Sequence, residues 1–118
     1  MTFLLGDPTQ TETEIHVGDF GTQFIVTVYN QYEVIQNLST ATLLGINFLT
    51  PSRETKAKTA SLYTDGTDGK IIYTLENGDM DEAGLWSYQA IVEFPAGSWS
   101  TNIVKFTVYP NIPEPVVP

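Results

Sequence analysis

The chain has 118 residues, near the commonest domain size, and its 42% hydrophobic and 12% aromatic content is that of one globular domain, not a disordered segment. Five Lys plus Arg against fourteen Asp plus Glu leave a net charge of −9, which repels phosphate backbones and anionic membrane surfaces and speaks against nucleic-acid and membrane partners. There are no cysteines, so disulfides, thiol nucleophiles, iron–sulfur clusters and thiolate zinc sites are excluded.

Residues 1–13 open with the apolar patch Phe3, Leu4 and Leu5 and read as a short edge strand or docked arm. They lack the basic start and long apolar centre of a signal peptide, and no later apolar run approaches the roughly 20 residues needed to span a bilayer. Glu14 to Val17 reads as a strand, followed by a glycine turn at Gly18 to Gly21. Thr22 to Asn30 alternates, with Phe24, Val26 and Val28 on one face and Gln23, Thr27 and Tyr29 on the other. Gln31 to Thr42 is a connection. Leu43 to Leu49 follows as a strand with Leu44, Ile46 and Phe48 inward, stopped by Pro51, which cannot donate to a ladder. Thr55 to Tyr63 alternates weakly and carries Lys56 and Lys58, as suits an edge strand.

A turn cluster at Thr64 to Gly69 precedes a strand in which Ile71, Tyr73 and Leu75 point inward. The acidic segment Glu76 to Gly84, with a single helical turn expected at Asp79 to Ala83, leads into the most regular strand of the chain. There Trp86, Tyr88, Ala90, Val92 and Phe94 share one face, and Ser87, Gln89 and Glu93 the other. The final strand, Trp99 to Tyr109, places Val104, Phe106 and Val108 on the core side. Its opposite face carries Trp99, Ile103 and Tyr109, which is apolar for a solvated surface. The proline-rich tail at 110–118 reads as extended polyproline conformation.

About seven short strands, regular turn signals and no helical periodicity together predict an all-β, immunoglobulin-like antiparallel sandwich. The arm (1–13), the sandwich (14–109) and the tail (110–118) form the expected organisation.

The residues able to carry chemistry do not assemble into a constellation. His16 is the single histidine, so neither a histidine triad nor a multi-histidine metal site forms within one chain. Asp79, Asp81, Glu82 and Glu93 lie mostly on a turn without a cleft signature for paired-carboxylate hydrolysis. Asp65, Asp68, Asp79 and Asp81 are oxygen donors suited to calcium, but the complete calcium loop is absent, and Asp-Gly is also ordinary turn chemistry. Asn37, Leu38 and Ser39 fit the glycosylation tripeptide, which matters only in a secretory setting. The expectation is therefore a non-enzyme without a cofactor.

The order of Leu38 to Thr42, Ile46 to Phe48, Pro51, Asp65 to Tyr73 and Asp79 to Gln89 resembles the immunoglobulin-like modules of tailed-phage virion proteins. It is similar to the N-terminal domain of the phage baseplate upper protein. The resemblance covers about residues 15–109 and implies a non-catalytic sandwich in a virion assembled in the host cytoplasm. Its expected place is capsid decoration, neck or tail/baseplate, and its expected partners are other virion proteins in a symmetric multi-copy assembly. This chain has no long receptor-binding or coiled-coil extension after the module, which leaves open a stand-alone head, neck or tail accessory protein. Trp99, Ile103 and Tyr109 are the expected contact face. Phe3, Leu4, Leu5, Pro110, Pro113 and Pro115 are the expected anchors. A carbohydrate-binding module for host surface recognition is the rival reading, and an extracellular adhesin-type domain a third.

Overall fold

A computed structural model describes residues 14–112 and the backbone of Leu4 and Leu5. Ten strands make two sheets and, among the described residues, no helix forms. The strands are β1 (Leu4–Leu5), β2 (Ile15–His16), β3 (Gln23–Tyr29), β4 (Leu43–Leu49), β5 (Thr55–Thr59), β6 (Ser61–Leu62), β7 (Lys70–Thr74), β8 (Gly84–Phe94), β9 (Gly97–Ser100) and β10 (Val104–Tyr109). One sheet has the order β1-β3-β7-β6. The other has the order β2-β10-β8-β4-β5, with β9 continuing the β10 edge alongside β8. All pairs are antiparallel except β2 with β10. The all-β immunoglobulin-like sandwich expected from the alternation is the fold observed.

The core is aromatic and is joined across the sandwich by Phe24 and by the Phe48–Tyr73 contact, with ring centroids 6.0 Å apart. Phe24 of β3 meets Phe48, Tyr88 and Phe106 of the facing sheet edge-on, with ring centroids 5.4–5.5 Å apart. Edge-to-face contact sets the positive rim of one ring against the negative face of another, at about 0.5–1.5 kcal/mol per pair beyond area burial. Trp86 is fully buried, and its indole N–H donates to the carbonyl of Glu82 at 2.8 Å. The acidic segment before β8 is thus a crossover between sheets that also satisfies the one polar atom of the deepest aromatic residue. It forms turns and bends, not the expected helical turn.

Two long strands of the sequence reading are in fact four. Residues 55–63 divide at the buried Ala60. β5 stays on β4, while β6 joins β7 in the opposite sheet. The strand expected at 99–109 divides at 101–103, and its first part, β9, begins at Gly97. Ser100 faces Ile91, whereas Val104 faces Tyr88, so four steps along one chain answer three along β8. The extra residue is a bulge, and because side chains repeat every two residues it exchanges the faces of everything before it relative to everything after. Thr101 pins it. Its N–H donates to the Ala90 carbonyl at 2.9 Å, and its hydroxyl accepts the Ala90 N–H at 2.9 Å. Gln89 Nε2 donates to its carbonyl at 2.8 Å.

Candidate interaction surface

The bulge corrects the expected contact face. Trp99 pairs with Val92, whose side chain is in the core, and it lies partly buried against the core with its ring 5.9 Å from that of Phe94. Ile103 and Tyr109 lie beyond the bulge and are exposed, 60% and 43% respectively. Leu4 and Leu5 pair through their backbones with Tyr29 and Val28. Pro110 is exposed, and Asn111 Nδ2 beside it donates to the Val17 carbonyl at 2.8 Å. Phe3, Pro113 and Pro115 lie outside the described residues.

The outward side of the six-stranded sheet is covered by no described element. Register sets its geometry: Thr55 faces Leu49, Leu49 faces Ser87, and Ser87 faces Lys105. That is one straight row across four strands. A second row, two residues along, holds Ala57, Asn47 and Gln89. Neighbouring strands lie about 4.8 Å apart, so the first row spans about 14 Å. A groove of about 500 Å³ runs over these rows, with Arg53, Ile103 and Lys105 along its margin. Leu85 is a further apolar group on the same face, 55% exposed. Strand alternation already turned Ser87, Gln89 and Lys105 outward. Arg53 and the rows themselves carry no sequence signal, because cross-strand register is not written in any one strand.

The inner margin of β5 is charged. Lys56 and Lys58 sit opposite Phe48 and Ile46 on the core side of the edge strand. Lys58 Nζ pairs with Asp79 Oδ1 at 2.9 Å, and Lys56 Nζ pairs with Asp81 Oδ1 at 2.9 Å. Lys56 Nζ also lies 5.6 Å from the centroid of Trp86, within cation–π range. Inward-pointing charge blunts an edge against pairing with another chain.

Asp79 is nearly fully buried. Burial alone would raise its pKa, but hydrogen bonds from the Tyr73 hydroxyl and the Glu76 N–H, together with the Lys58 ammonium, hold it below the ordinary carboxylate range. Burial first, and then Asp79, push the Tyr73 hydroxyl up. The remaining candidate ligands are also occupied. Asp65 accepts from Thr67, which lowers its pKa, and Asp68 accepts from Thr64 and from the Lys70 N–H. His16 Nε2 meets Glu14 at 2.8 Å, and that hydrogen bond raises the imidazole pKa.

The fold defines an all-β sandwich, a class that many unrelated functions share. No protein-family profile matches the chain, and no curated protein does either. Among solved structures it is similar to CopC, a copper-resistance protein from Methylosinus trichosporium OB3b. The TM-score is 0.59, at 13% identity over 94% of this chain and 97% of that one. At that identity the likeness establishes the fold. It falls on a copper-resistance protein and not on a phage structural protein, so the expected virion role in capsid, neck, tail or baseplate does not stand.

Among the described residues no donor set for copper comes together: His16 is the single histidine of the chain, Met80 is fully buried in the core, and no three His, Cys, Asp or Glu side chains converge.

Proposed function

We infer that this chain is a non-catalytic interaction domain that works by protein–protein contact through the outward side of its six-stranded sheet. One observation carries the reading. The widest face of the sandwich is uncovered by any described element, exposes Leu85, Ile103 and Tyr109, and holds a groove lined by Leu49, Ile103 and the polar Asn47, Ser87 and Gln89. Interfaces combine such apolar and aromatic anchors with a polar rim. The non-catalytic part is supported by the fate of the perturbed groups. Asp79 and Tyr73 are locked together at the inner sheet margin, Asp65 is held in a turn, and His16 has a carboxylate but no nucleophile beside it.

Site-directed photo-cross-linking in the native cell tests this. A photoreactive residue at position 103 should give discrete cross-linked species that one at position 70, on the opposite sheet, does not. The partner so identified, once purified, should bind the Leu85→Ser, Ile103→Ser chain at least tenfold more weakly, the scale of losing one interface anchor. Matching patterns from both positions, or none from 103, would remove the outward face from consideration.

A further inference from the structure

We propose that the groove on the outward face takes an extended acidic polypeptide segment, with one carboxylate at Arg53 and a second at Lys105. This rests on the reading of that face as the contact surface and supplies the chemistry of the partner.

The distribution of positive charge carries the argument. The chain has five cationic Lys and Arg side chains against fourteen acids. Lys56 and Lys58 are bound to Asp81 and Asp79 at the inner sheet margin. Lys70 stands on the opposite sheet, paired in register with Thr27. The other two, Arg53 and Lys105, both line this groove, and no carboxylate lines it. Among the described residues neither side chain has an ion-pair partner. In a molecule of charge −9, that gives this concave surface a positive character.

The position of Arg53 is held at a conformational cost. Its φ of 76° lies in the left-handed region, which disfavours every residue with a Cβ. The hairpin fixes it there. The Arg53 N–H donates to the Thr50 carbonyl, the Glu54 N–H donates to the Thr50 hydroxyl, and Ser52 Oγ donates to Glu82, all at 2.8–2.9 Å. Glycine would take this conformation without strain.

Geometry selects an extended peptide. The row from Thr55, two residues after Arg53, to Lys105 spans about 14 Å between backbones, and an extended chain rises about 3.4 Å per residue, so acids at positions i and i+4 are on the scale of that row and project to the same side. Beside Leu49 the groove offers the Asn47 amide, the Gln89 carbonyl oxygen and the Ser87 hydroxyl, donors and acceptors suited to a peptide backbone. The same net charge disfavours a nucleic-acid occupant, whose phosphates recur along its whole length.

The probe is a labelled peptide of about nine residues, threonine and valine with two glutamates four apart, offered to the full chain at low salt. Fluorescence anisotropy should show saturable binding. Amide shifts in NMR spectra should cluster at Asn47, Leu49, Ser87, Gln89 and Lys105. Lys105→Glu and Arg53→Glu should each weaken binding roughly tenfold, and the double reversal should transfer preference to the matching dilysine peptide. Added salt should weaken the complex, since exposed pairs are screened over about 10 Å at 0.1 M.

Arg53→Gly separates binding from folding: it should keep or raise the urea midpoint while losing affinity. No saturable binding up to about 1 mM, equal affinity for the glutamate and lysine peptides, or shifts on another surface would overturn the proposal. If peptide binding fails while position 103 still cross-links specifically, the acidic chemistry is wrong and the contact face stands. If both fail, the face falls as well.

Discussion

Asp79 is a nearly buried carboxylate with three polar partners. It accepts from Tyr73 and from the Glu76 backbone and pairs with Lys58, all beside the aromatic core. Removing one member of a buried pair leaves the other desolvated without compensation, so Asp79→Asn should cost about 3 kcal/mol. Urea unfolding at pH 7 measures it, and the double change Asp79→Asn, Lys58→Met, which removes the charge on both sides, should cost less than the sum of the two single changes. The pH dependence follows from sign. A carboxylate whose folded pKa is depressed contributes stability that is complete above the unfolded value of about 3.9 and is lost as pH falls through the lower folded value. Wild-type stability should therefore fall more steeply below about pH 4 than that of Asp79→Asn. His16 has the opposite sign. Its raised pKa gives a contribution that is present below about pH 6.5 and lost as pH rises through the folded value.

At the scale of the element, the bulge between β9 and β10 decides which face is a surface. Alternation read straight through residues 99–109 put Trp99, Ile103 and Tyr109 together; the extra residue sends Trp99 to the core side and leaves the other two outside. Nothing in the local sequence marks that insertion, because threonine is an ordinary strand residue and the device is a pair of hydrogen bonds to Ala90 on another strand. Thr101→Val keeps the shape and loses the hydroxyl that accepts the buried Ala90 N–H. It should cost about 1–2 kcal/mol by thermal or urea unfolding, whereas Thr101→Ser should lie close to wild type. A larger loss for Thr101→Ser than for Thr101→Val would show that the methyl group, not the hydroxyl, holds the bulge. The turn at 64–69 has a comparable long-range partner: Gly66, at φ 95°, leaves no room for a Cβ because the Ser39 backbone lies against it.

For the whole molecule, the two sheets share one core, with Phe24 reaching across and the crossover at 75–83 satisfying Trp86. Neither sheet has a second interior to retain, so unfolding should be a single cooperative transition. Tryptophan fluorescence and far-UV circular dichroism should give coincident urea curves, and separated midpoints would contradict a single core. The sequence by itself determined the all-β class, the inward sets of β3, β4, β7 and β8, and the turns at glycine, because these depend on a two-residue period and on local steric freedom. It also determined that no cysteine or multi-histidine chemistry is available. Only the tertiary structure decided the sheet switch at Ala60, the parity change at Thr101, the inward lysines of β5, and the gathering of Arg53 with Lys105 on one face. Each of these depends on register between strands distant in the chain, which is set when opposing side chains pack and buried polar groups find partners, and no one strand specifies it alone.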